Sequence, residues 1–88
     1  MEKQEIHIKE IRELAKKFSP EELENCINQQ LREGTNICEV TGPTEHVIGE
    51  LAKAELVKEL TEKGMSLTDA IRELARRIRL VQKGFKEG

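Results

Sequence analysis

The sequence predicts an all-α fold, a compact four-helix bundle-like single domain spanning residues 1–88. Three observations carry that expectation. Apolar residues recur at steps of three and four, the period of a helix with one buried side. Ser19 and Ser66 stand where helix caps belong, and Gly34 and Gly64 stand where helices stop. Only one segment suits an extended chain, and no second one exists to pair with it.

The first helix is expected over about 4–17. Ile8, Ile11, Leu14, Ala15 and Phe18 project onto one arc of about 120°. Ser19-Pro20-Glu21-Glu22 then reads as a helix start. The serine hydroxyl accepts a first-turn amide, proline fits the first helical position, and Glu22 closes a capping box. The second helix follows over 20–33, with Leu23, Cys26, Ile27 and Leu31 as its apolar edge and Gly34 as its stop. Its tight corner with the first helix predicts antiparallel packing of the two.

Residues 34–43 read as an ordered loop tucking in Ile37 and Val40, with a short extended segment at 36–41 as the alternative. The third helix is expected over 44–63. Val47, Ile48, Leu51 and Ala52 mark one face, while Ala54, Leu56, Val57 and Leu60 spread around the cylinder. Such a helix belongs between neighbours, as the centre of the fold or as a dimer seam. Ser66, with Asp69 three residues on, opens the fourth helix, expected over 66–84.

Composition sets the limits. The 88 residues are 36% hydrophobic and 36% charged, with two Phe, no Tyr and no Trp. A core of Leu, Ile, Val and Ala in so short a chain is thin for a monomer. A twofold homodimer is therefore expected, since that is the commonest closed assembly. The predicted seam lies on the third and fourth helices, at Leu51, Leu56, Leu60, Leu74, Ile78 and Val81. The balance of Glu, Lys, Arg and Ile over Gln and Met suits a thermophile. No more than two strongly apolar residues stand together, which excludes a membrane span. Met1–Ser19 lacks the apolar core of a signal peptide, so a cytoplasmic location is expected.

Charge is unevenly spread. Residues 1–68 hold nine Lys/Arg against fourteen Asp/Glu, whereas residues 69–88 hold six against three. On the last helix Arg72, Arg76, Arg79, Lys83 and Lys86 fall within roughly an 80° arc opposite Leu67, Ile71, Leu74, Ile78, Val81 and Phe85. This basic face has three readings. It is a solvated surface, a contact for acidic helices of the same protein such as the first or second helix of another copy, or a phosphate track on nucleic acid. No aromatic residue interleaves it to stack on bases.

Within the run from Leu60 to Arg77, a helix ends in Gly64, Ser66 caps the next, and Ala70-Ile71-Arg72-Glu73 follows. This run resembles the two-helix part of ribbon-helix-helix DNA-binding proteins. The resemblance implies a strand at about 36–41 that pairs across a dimer and enters the major groove. The chain departs from that pattern in three ways. Its third helix is longer, two helices precede the segment, and Ile37-Cys38-Glu39-Val40 offers no basic reader.

Catalytic signals in the sequence are weak. The six glycines are scattered singly, Ser19 and Ser66 are accounted for as caps, and the carboxylates fall on solvated helix faces. Cys26, Cys38, His46 and His7 are the residues a metal could use, but they lack a close Cys pair. Buried, unligated cysteines are the favoured reading, with a disulfide and a metal site as alternatives. No cofactor is implied. The expected function is a non-enzymatic helical module for protein interaction and oligomerisation. A small dimeric nucleic-acid-binding regulator using the last helix is the alternative.

Overall fold

The computed structural model describes the backbone of residues 8–87 and the side chains of residues 8–80. Four helices occur among them: α1 (Ile8–Lys17), α2 (Pro20–Glu33), α3 (Thr44–Glu62) and α4 (Leu67–Glu87). The all-α bundle-like fold is as expected. The expected start of the first helix at Gln4, together with His7, lies outside the described residues.

Local chemistry sets the boundaries. Ser19 and Glu22 form the reciprocal capping box: the Glu22 amide donates to Ser19 Oγ at 3.1 Å, and the Ser19 amide donates to Glu22 Oε1 at 2.8 Å. Gly34 closes α2 in the left-handed conformation, with φ 79°, where a side chain would be strained. The Asp69 amide donates to Ser66 Oγ at 3.1 Å at the head of α4.

α3 is the hub. It packs against α1, α2 and α4, and its Val47, Leu51, Ala54, Val57 and Leu60 are buried together with Ile11, Leu14, Leu23, Ala70, Ile71 and Leu74. Apolar residues all round its cylinder meet three neighbours, so one residue pattern serves three interfaces. The expected antiparallel pairing of α1 with α2 does not occur: each packs on α3 instead. Ser19, extended at φ −80° and ψ 165°, turns the chain away.

The 34–43 loop contains no strand, and Ile37-Cys38 form a turn. The strand implied by the ribbon-helix-helix resemblance is therefore not formed. Cys26 and Cys38 are joined by a disulfide with a Cα–Cα distance of 6.2 Å. This corrects the expectation of unligated thiols. The loop doubles back along α2 and carries Cys38 to the buried Cys26, a proximity that spacing in sequence does not reveal.

Two further expectations fail in the same region. Val40 is tucked in, but Ile37 is 75% exposed; Leu31 is 63% exposed, and Gln30 takes the inward place beside it. The cause is a polar network. Asn36 mimics a strand partner, its Oδ1 accepting from the Val40 amide at 3.2 Å and its Nδ2 donating to the Val40 carbonyl at 3.0 Å. That Nδ2 also donates to Gln30 Oε1 at 2.8 Å, and Gln30 Nε2 donates to Thr44 Oγ1 at 3.0 Å. The Ile37 amide donates to Gln29 Oε1 at 3.1 Å. Burying Gln30 is tolerable because both ends of its amide are bonded.

Candidate functional site

On α4 the inward side holds Ala70, Ile71 and Leu74, with Leu67 and Ile78 half-buried against the core. Arg72, Arg76 and Arg79 are exposed on the other side, as expected, and Arg77 and Leu80 stand exposed beside them. The side chains of Lys83 and Lys86 lie outside the described residues. Leu80 is 53% exposed and follows Arg76 and Arg77 by one turn of helix. This region is thus basic with an apolar centre.

The cations are partly held by their own helix. Arg76 grips Glu73 with two nitrogens, at 3.1 and 2.7 Å, and Arg77 Nε donates to the same carboxylate at 2.8 Å. Arg76 first, and Arg77 after it, hold the Glu73 carboxyl down at about 2. Arg72 lies 3.8 Å from Asp69. Arg79 has no ion partner among the described residues. Arg76 and Arg77 are thus held in place, and Glu73 offsets part of the positive charge of this face.

The seam residues divide. Leu51, Leu60 and Leu74 are buried by the chain's own helices, so a second copy is not needed to cover them. Leu56 and Ile78 are half-buried against the core, and the side chain of Val81 lies outside the described residues. The seam as drawn from sequence is largely the monomer's own interior, because α3 receives three neighbours rather than two.

On α2 and α3 acidic residues outnumber basic ones. Glu21, Glu22 and Glu24 are exposed on α2, and Glu24 faces Glu55 of α3. Burial first and Glu24 second push the Glu55 carboxyl up to about 7. One carboxylate lies inside the fold. Glu50 is 3% exposed, in contact with Glu10 of α1 and 3.8 Å from His46 Nε2. Sequence reasoning placed every carboxylate on a solvated face and missed this one. The signal was present: Glu50 continues the Val47–Leu51–Ala54–Val57 stripe at helical spacing.

No group of three or more His, Cys, Asp or Glu able to hold a metal ion occurs among the described residues. Cys26 and Cys38 are bound to each other, and His46 instead faces Glu50 and rests on Gly42, where an added Cβ would come within 3.3 Å of the ring. An open cleft of about 230 Å³ lies along the loop between Gln30, Asn36, Glu39 and Gly42. Its amides are used on one another, so they do not converge on a ligand. Among the described residues no helix is long and apolar enough to cross a membrane. Comparison with protein families, curated proteins and solved structures gave no match to this chain.

Proposed function

We propose that this chain is a non-enzymatic helical module that binds protein, a second copy of itself first of all, through the outer face of α4. The observation that carries the reading is Leu80, exposed within the array of Arg72, Arg76, Arg77 and Arg79. A half-exposed leucine one turn from the held guanidinium groups of Arg76 and Arg77 suits an acidic protein surface with an apolar spot. It suits a phosphate backbone less well, because Glu73 already neutralises part of the charge. The exposed carboxylates Glu21 and Glu24 on α2 and Glu59 on α3 offer complementary charge on the same chain.

We place the module in the cytoplasm as part of this proposal. The Cys26–Cys38 bridge then needs protection from thiol reductants, and burial supplies it: the two cysteines are 1% and 5% exposed.

The test is sedimentation velocity at low salt on the native chain, on Leu80→Ser and on the triple variant Arg72→Ala, Arg76→Ala, Arg79→Ala. Both variants are expected to be folded and to associate less than the native chain. Unchanged association in both would end this reading. Salt-sensitive retention of duplex DNA or RNA by the native chain, lost in the triple variant but kept in Leu80→Ser, would favour the nucleic-acid regulator instead.

A further inference from the structure

The stripe that α3 turns inward contains one ionisable side chain. Glu50 is 3% exposed, between Val47 and Ala54 on the helix face that is buried. The titratable and charged groups beside it come from two helices. Glu10 of α1 shares a hydrogen bond with it, His46 of α3 stands 3.8 Å from its Oε2, and Lys53 of α3 acts more weakly. Among the described residues no charged group of α2 or α4 stands with them as acting on this carboxyl, so the cluster belongs to α1 and α3.

Two carboxyl groups in hydrogen-bond contact cannot both be ionised cheaply away from water, so one of them carries a proton that the other accepts. That proton sits on the boundary between α1 and α3. On the same helix as Glu10, Ile11, Leu14 and Ala15 are buried, and they seat α1 on the core.

We propose that Glu10 and Glu50 form a proton-operated latch that keeps α1 on α3 while the shared proton is present and loosens it when the proton leaves. Loosening exposes the apolar side of α1, so the latch couples pH to a surface that is otherwise hidden. The device stands apart from the association reading of α4 and survives its failure.

The window follows from the two environments. With α1 seated, burial first and Glu10 next push the Glu50 carboxyl up from 4.5 to about 7, against the pull of Lys53. With α1 loosened, Glu50 meets water and returns toward its ordinary value. A carboxyl raised in the seated state favours seating fully below pH about 4.5. That preference declines through the interval and is gone above pH about 7. The opening constant of α1 therefore rises by at most about tenfold per pH unit in that interval, about 300-fold in total.

The test is amide hydrogen exchange on the full chain, corrected for intrinsic chemistry, at several pH values between about 5 and 8. Protection of the α1 amides is expected to fall as pH rises to about 7 and then to level, while α4 protection changes less. In Glu50→Gln, α1 protection is expected to be flat. Should that variant fail to fold, Glu10→Gln serves, with the fall reduced. Carbon-13 titration of the native Glu50 carboxyl is expected to show a midpoint well above the ordinary carboxylate range. A midpoint within that range overturns the latch. So does a fall in α1 protection that persists in Glu50→Gln or that α4 shares in full.

Discussion

Breaking the Cys26–Cys38 bridge removes the one covalent constraint on the unfolded chain, and its effect can be worked from the fold. The bonded residues are 12 apart in sequence. Closing a loop of that length in the unfolded ensemble is worth about 3 kcal/mol in the chain-entropy account. For a domain of this size, total stability is on the order of 4–13 kcal/mol, so the bridge is a large share of it. The folded loop does not depend on the bridge alone, since Gln29, Gln30 and Asn36 hold it by hydrogen bonds. The reduced protein should therefore keep its helices and lose stability. In urea, with a slope of about 1–1.5 kcal/mol/M, the midpoint should fall by about 2–3 M. On heating, the midpoint should fall by about 12–24 °C. Far-UV circular dichroism of the native chain, with and without reductant, and of the double variant Cys26→Ala, Cys38→Ala separates the lost cross-link from lost packing. Two reactive thiols in the folded native chain would refute the bridge. A midpoint shift below about 0.5 M on reduction would refute the entropic argument.

Other outcomes follow from the same contacts. Leu51→Ala at the fully buried centre of α3 should cost about 2–5 kcal/mol, whereas Leu31→Ala on the exposed side of α2 should stay within about 0.5 kcal/mol, both by urea unfolding. Ser19→Ala removes one side of the capping box and should cost about 1 kcal/mol in the same assay. Stability should also depend on pH in two opposite senses. Glu73, held down at about 2 by Arg76 and then Arg77, contributes stability that is present above pH 4.5 and is lost as pH falls toward 2. Glu50 and Glu55, both raised to about 7, contribute stability that is present below pH 4.5 and is lost as pH rises toward 7. The thermal midpoint should therefore peak near pH 4.5 and decline on either side. Arg76→Ala with Arg77→Ala should flatten the acid side, and Glu50→Gln with Glu55→Gln the neutral side.

Most of the fold was legible in the sequence because its signals are local. Ser19 with Glu22, Ser66 with Asp69, and the stops at Gly34 and Gly64 act within one turn of chain, and all hold in the structure. The spread of apolar residues around the third helix pointed to a central position, and α3 occupies it. What escaped depends on contacts between residues far apart. The meeting of Cys26 with Cys38, the burial of Gln30 in place of Leu31, and the outward turn of Ile37 all follow from one loop folding back on α2. That path is set by the Asn36 side chain imitating a strand partner, a device with no periodic signature. The basic face of α4 was readable as geometry. Its partial neutralisation by Glu73 required the side-chain conformations, since Glu73 could equally have faced solvent.

The central claim is that α3 is enclosed by its own neighbours, so that copies meet through charge on α4 rather than through a shared apolar core. Light scattering across a salt series, with circular dichroism on the same samples, tests it most directly. The account predicts an assembly near about 20 mM salt that separates into folded, fully helical monomers by about 0.5 M, where the screening length falls below about 5 Å. An assembly that resists salt and unfolds as it dissociates, or a monomer at every salt concentration, would contradict it.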